Sequence, residues 1–319
     1  MANELQRSQR IVINDKYKQQ IKEENMDLFE RYKRDLQMRE LSKGTILNYE
    51  SDLVQWLSYL VKEQYNINVL DVTEDDIEKF IFFCKENGNN TERIKRRMAS
   101  ISAFYKYLRR KKLIKENPME FIPRAKKGLP VVKQTYLTIE QVKLMKKKLK
   151  EYGDLQLEVY ALLSLSTMGR INAVSNTRWE QIDFNERTID DVLEKEGKIV
   201  TLYFSKEVKD LLLKLKKERE KENIYCEYVF ITKSENRKYD KASTSALSYW
   251  AKKIGKMINV PELHAHDFRH SGAQLLKISG MPIEDISDLL NHSGLDVTKN
   301  HYLKQDKAKM KEKKDKFEI

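Results

Sequence analysis

The chain reads as mainly α: an all-helical N-terminal domain, then a mostly helical C-terminal domain holding a small antiparallel β-sheet. Three observations predict this. Apolar residues recur at three- and four-residue steps through most of the chain, the period of one buried helix face. That pattern gives way to short β-branched and aromatic runs only between Trp179 and Phe204 and again near Tyr228. Three of the five prolines fall between Asn117 and Pro130, and they divide the 319 residues into two lengths that can each close a core.

Residues 1–22 are polar and aperiodic and read as a loose arm. The first domain is expected over residues 23–116. A helix begins near Glu24, with Leu28, Phe29, Tyr32 and Leu36 on one face. Ser42 or Thr45 can cap the next, whose apolar positions are Ile46, Leu53, Trp56, Leu57 and Leu60. Thr73 followed by three acids marks another start, leading into Ile77, Phe80, Ile81 and Cys84. Asn87-Gly88 is a break, and a further helix covers Thr91 to Lys112. Residues 117–134 form the linker.

The second domain is expected over residues 135–303, with a tail at 304–319. Thr138 and Gln141 make a capping-box pattern for a helix to about Leu149. Leu155 to Met168 is apolar all round and reads as a central helix, interrupted by Gly169-Arg170. Trp179, Ile182, Phe184 and Ile189, then Val192-Leu193, a polar tip from Glu194 to Lys198, and Ile199 to Phe204 read as short strands with a hairpin. A helix from Ser205 to about Glu222, a strand at Tyr228 to Thr232, and helices over Ser243 to Met257 and beyond His266 complete the domain.

Charged residues make up 34% of the chain and leave a net charge of +12, with a pI near 9.3. Such a balance favours a polyanionic partner, because Lys and Arg that neutralise phosphates release counterions. A membrane partner is not expected: no stretch approaches 18 consecutive apolar residues, and Met1 to Asn14 carries no signal-like apolar core. Cys84 and Cys226 are far apart and too few for a thiolate metal site, which fits a reducing cytoplasm. The Thr91–Lys112 helix is the most basic element. It carries Arg93, Lys95, Arg96, Arg97, Lys106, Arg109, Arg110, Lys111 and Lys112 against one acid, Glu92, with Met98, Ile101, Phe104, Tyr105 and Leu108 as an apolar stripe. A solvated helix face usually mixes both signs, so this one is assigned to double-stranded DNA together with Arg124, Lys126 and Lys127 of the linker.

All five histidines lie between residues 264 and 302: His264, His266, His270, His292 and His301. On a helix, His266 and Arg269 share a face. Arginine offers a planar fork that grips two phosphate oxygens, and a histidine beside it can donate to the same phosphate or move a proton. Arg170 follows a glycine at the broken end of an apolar helix, where it must pair with an acid or face a ligand. Lys195 and Lys198 sit on the hairpin tip, within reach of a cleft. Tyr302 ends the cluster ten residues after His292. Its phenol is a poor nucleophile at a pKa of about 10, and flanking cations would favour the phenolate. The set suits attack by Tyr302 on a phosphodiester held by arginines, with no metal or other cofactor needed. A zinc pair is the competing reading of His266 and His270, four residues apart. Asp267 stands where the zinc motif has Glu, and Arg269 between the histidines would oppose a dication.

With these residues in place the chain resembles the tyrosine recombinases, the phage-type integrases, over nearly all its length past residue 25. His266-Asp-Phe-Arg269-His270-Ser is similar to the family's His-x-x-Arg-His box, and Leu289-Leu-Asn-His292-Ser to its Leu-Gly-His-Ser segment, with Asn291 in place of glycine. The resemblance implies an N-terminal core-binding domain and a C-terminal catalytic domain that together clamp DNA. It puts the nucleophile at Tyr302, which forms a 3′-phosphotyrosyl intermediate. Arg170, Arg269, His266 and His292 activate the phosphate, and Lys195, ahead of Lys198, protonates the leaving 5′-oxygen. It implies a tetramer on two DNA segments, with the tail packing on a neighbour, in a protein of a phage or mobile element. The family usually has an acid three residues after the first arginine; here Ala173 stands there, followed by the polar Val174-Ser-Asn-Thr-Arg178. That departure keeps open a catalytically silent, dimeric DNA-binding regulator of the phage-repressor type on the same scaffold.

Overall fold

The computed structural model describes residues 15–124, 135–194, 197–233, 238–292 and 298. The chain falls into two compact units, Met1–Lys133 and Gln134–Ile319.

Among the described residues the first unit is built of helices alone: α1 (Asp15–Gln19), α2 (Glu23–Met38), α3 (Lys43–Glu63), α4 (Glu74–Glu86) and α5 (Thr91–Arg110). Local chemistry starts three of them. Ser42 Oγ accepts the Thr45 N–H at 3.2 Å, Thr73 and Asp76 form a reciprocal capping box, and Asn90 Oδ1 accepts the Arg93 N–H at 2.8 Å. The core is aromatic: Tyr32 meets Phe104 edge-on at 5.3 Å, and Trp56 packs on Phe80 at 5.0 Å. Helix α1 corrects the expectation of a wholly loose arm over 1–22. It is a single turn, too short for apolar periodicity to register, and it runs straight into buried Ile21.

The second unit runs α6 (Ile139–Tyr152), α7 (Leu155–Thr167), α8 (Ile171–Asn176), β1 (Ile182–Asp183), β2 (Thr188–Leu193), β3 (Ile199–Tyr203), α9 (Lys206–Lys221), β4 (Ile231–Lys233), β5 (Tyr239–Lys241), α10 (Thr244–Met257), α11 (Ala265–Ile278) and α12 (Ile283–Leu289). As its composition predicts, α7 is buried on nearly every side and forms the axis of the core with Phe230, Leu247, Ile254 and Phe268. Strands β1, β2 and β3 form one antiparallel sheet in sequence order, and β4 and β5 pair as a second. Two details depart from the expected strands. Trp179 lies in a 3-10 turn (Trp179–Gln181) ahead of β1, and β5, with little apolar content, becomes a strand only by pairing with β4. Among the described residues no helix is long and apolar enough to cross a membrane.

Candidate active site

The site gathers where α7 ends against α11. Helix α7 stops because Met168 turns into the left-handed region at φ 53° and Gly169 follows. Met168 is not a residue that favours this conformation, so the surrounding packing must hold it. The turn aims the Met168 carbonyl at α11, where Arg269 Nη1 donates to it at 2.7 Å. Gly272, one turn further along α11, lets the two helices come close: a β-carbon there would collide with the Leu165 carbonyl oxygen and lie 2.6 Å from Met168 Cγ. The same turn leaves Arg170 at the start of α8, its side chain 31% exposed.

Arg269 is 1% exposed. Besides Met168, its Nη2 donates to the Leu290 carbonyl at 2.6 Å and to His292 Nε2 at 3.1 Å. An arginine only donates, so His292 Nε2 must be the acceptor and its proton sits on Nδ1, which donates to Thr298 Oγ1 at 2.8 Å. Asn291 holds this segment in position. It takes φ 53° just past α12, the left-handed terminus where glycine is the commonest choice and asparagine the next. This accounts for asparagine at the family's glycine position. The Asn291 carbonyl in turn receives Lys198 Nζ at 3.4 Å, tying the β2–β3 hairpin to the His292 segment.

His266 lies on the exposed side of α11, with its ring edge-to-face on His270 at 4.6 Å. Partial burial of the ring, then the charges of Arg269 and Arg170, lower its pKa and favour the neutral imidazole. His270 is buried and also packs against Tyr136 at 5.9 Å. Asp267 caps α11, accepting the His264 N–H at 2.7 Å, so it serves the helix start.

Arg170, His266, Arg269 and His292 are thus brought together. Lys195, His301 and Tyr302 lie outside the described residues, as do Lys126 and Lys127. One group escaped the sequence reading. The side chain of Glu194, just past the end of β2, is 2% exposed, forms an ion pair with Arg170 Nη1, and places Oε1 4.0 Å from Arg269 Nη1. A cue was present in the sequence, because Val192 and Glu194 share an inward-facing parity while Leu193 points out.

In the first unit the basic helix proves to be divided. Arg97 is 1% exposed; it donates to Cys84 Sγ at 3.3 Å and lies 4.0 Å from Asp52, so it is withdrawn from the basic surface expected to meet DNA. The reason is Asp52, a buried carboxylate that also takes Arg96 at 2.7 Å and Ser100 at 2.9 Å. Burial nevertheless outweighs these partners and pushes the Asp52 carboxyl up. Arg93, Lys95 and Arg96 are half-buried, while Lys106, Arg109, Arg110, Lys111, Lys112 and Arg124 are exposed. Of these, Arg109 pairs with Glu120 at 3.0 Å, Arg110 with Asp35, and Lys95 with Glu92 at 3.1 Å.

Comparison with known proteins identifies the family. The phage integrase family matches residues 135–309, and the phage integrase N-terminal SAM-like domain matches residues 29–112. Tyrosine recombinase XerC of Leptospira interrogans is 27% identical over 279 residues, covering 85% of this chain and 86% of the relative. A Caldanaerobacter subterraneus protein named among the tyrosine recombinases is 36% identical over 109 residues, covering 34% of this chain and 36% of that one. In fold the chain is similar to a lambda integrase dimer bound to a core site, at TM-score 0.64 and 17% identity over 87% of this chain and 94% of the other. It is equally similar to the Tn1549 transposon integrase in complex with circular intermediate DNA, at TM-score 0.64 and 16% identity over 90% and 98% of the two chains. Two buried or half-buried arginines, the histidines around them and the family match over more than half of the residues lead to one conclusion: the chain belongs to the phage integrase family of tyrosine recombinases.

Proposed function

We propose that the protein cuts and rejoins double-stranded DNA at a specific site through a covalent bond to Tyr302. The observation that carries this is the cage of Arg170, Arg269, His266 and His292 at the junction of α7, α11 and the segment after α12. The residue divisions 23–116, 117–134 and 135–303 serve it as DNA-binding domain, linker and catalytic domain, and residues 304–319 as a tail.

In this reading Arg170, the more exposed arginine, takes the scissile phosphate first. Arg269 contributes its charge from behind, anchored to the Met168 and Leu290 carbonyls. His292, bonded to Arg269 through Nε2, lines the same phosphate site. Neutral His266 hydrogen-bonds on the open side. The Tyr302 oxygen, its proton released to water, attacks phosphorus, the bond to the 5′-oxygen breaks, and Lys195 gives that oxygen its proton. A 5′-hydroxyl from a second strand reverses the step and frees the tyrosine, which requires several protomers on DNA: a tetramer for exchange, with a dimer as the unit bound to one site.

The experiment is a suicide duplex, nicked beside the cleavage point so that the short strand escapes, carrying a site selected from random DNA by the full-length protein. A protein–DNA adduct that forms with wild type and is absent from Tyr302→Phe is the expected result. Arg170→Ala should lose the adduct by about 100-fold or more while the DNA Kd changes little, because the missing interaction is felt mainly in the transition state. Tight site-specific binding by wild type without an adduct would contradict the proposal.

A further inference from the structure

We infer that Glu194 is a positioning residue, an internal counter-charge wedged between Arg170 and Arg269 that holds both guanidinium groups at the phosphate site. The inference rests on the function proposed above. Three observations carry it. The Glu194 side chain is 2% exposed, and its carboxylate is ion-paired with Arg170 and 4.0 Å from Arg269. Its backbone is fixed, because its N–H donates to the Lys198 carbonyl at 2.8 Å and closes the β2–β3 hairpin. Its position continues the inward parity of Val192 on β2, where an apolar residue would otherwise pack.

Burying a carboxylate costs several kcal/mol unless cations compensate it, and two converging arginines repel each other for the same reason. The trio resolves both problems at once. Ala173, also buried, lies one helical turn after Arg170 and lines a cleft with Val192 and Leu193, the two residues before Glu194. The negative charge therefore reaches the arginines from the strand side, not from α8. This arrangement answers one of the two grounds for a silent regulator, the acid missing at Ala173; the polar Val174–Arg178 segment is the other.

A glutamate facing two phosphate-binding arginines could instead act as a plug that DNA must displace. Its burial and the 31% exposure of Arg170 favour positioning, since the carboxylate sits behind the arginine and leaves its outer edge open. The two roles predict opposite signs. Glu194 also directly precedes Lys195 in sequence, so its anchorage fixes the chain immediately before the lysine.

The test measures single-turnover adduct formation, DNA affinity and thermal melting for wild type, Glu194→Gln and Glu194→Asp, and records arginine Nη–H exchange by NMR without DNA. Positioning predicts that Glu194→Gln slows adduct formation about 10- to 100-fold, the usual cost of removing a partner that orients a working group. DNA Kd should stay within about threefold, and Glu194→Asp should recover part of the rate at a melting temperature no higher than that of the Gln variant, separating charge from packing. A faster rate in Glu194→Gln would overturn the inference in favour of a plug. So would rate, affinity and melting temperature falling together in both variants. If wild type makes no adduct, the proposed function fails, and the exchange data still decide the inference. Slowly exchanging Arg170 and Arg269 protons must be released in Glu194→Gln, and unchanged exchange would overturn it.

Discussion

Arg269 shows how burial defines a residue's work. It donates to two backbone carbonyls and one imidazole nitrogen and faces one carboxylate at longer range. Removing it strands Glu194 beside one cation, so Arg269→Ala should cost about 3–5 kcal/mol in urea unfolding, the usual penalty for breaking a buried pair. A destabilisation under about 1 kcal/mol would mean that the interior does not need this charge. His266 gives a pH prediction. Its folded pKa lies below the ordinary value of about 6.5, so as pH falls the unfolded chain takes the proton first. The stability tied to the neutral ring is fully present above about 6.5 and diminishes below it. Melting temperature should therefore fall more steeply from about pH 7 to about pH 5 in wild type than in His266→Asn. Parallel curves would show that the ring is not held neutral.

Among the elements, the packing of α7 on α11 governs the site. Gly272→Ala would push α11 off the Leu165 carbonyl and Met168, and should cost about 1–3 kcal/mol, as overpacking does. It should also reduce adduct formation beyond what the reduced stability explains, because Arg269 leaves the Met168 carbonyl. Gly44, in the first turn of α3, is the contrast: its β-carbon would meet nothing within 4 Å, so Gly44→Ala should gain about 0.5–1 kcal/mol. Equal effects of the two substitutions in denaturant titrations would refute the packing argument. Much of this scale was legible in the sequence. Helix-period apolar stripes, the caps at Ser42, Thr73 and Thr138, and the proline-rich stretch located most elements, because local chemistry decides them. What escaped depended on partners distant in sequence. Helix α1 is too short to show a period, β5 exists by pairing, and Arg97 turns inward to an aspartate 45 residues earlier. At the site, the arginines and histidines were legible from motif spacing. Glu194 was not assigned, because a polar residue at a hairpin end looks solvated, and its shared parity with Val192 acquires meaning only once the arginines opposite it are known.

For the whole molecule, the net charge of +12 overstates what DNA can meet. Arg97 is turned inside, and Arg96 is held by Asp52 and Asn48. The exposed set Lys106, Arg109, Arg110, Lys111 and Lys112 remains, and within it Arg109 and Arg110 are paired with Glu120 and Asp35. Replacing these five with Gln should flatten the dependence of log Kd on log salt by roughly 0.9 for each phosphate no longer neutralised, whereas Arg97→Met should change stability and leave the slope alone. An unchanged slope in the fivefold variant would place the DNA elsewhere. The central claim, that Tyr302 joins DNA covalently, is tested most directly by digesting the trapped adduct and identifying the nucleotide-bearing peptide by mass spectrometry. The account predicts a peptide containing Tyr302 linked to a DNA 3′-phosphate, with a free 5′-hydroxyl on the departing strand. A different residue carrying the DNA, or a 5′-phosphate linkage, would contradict it.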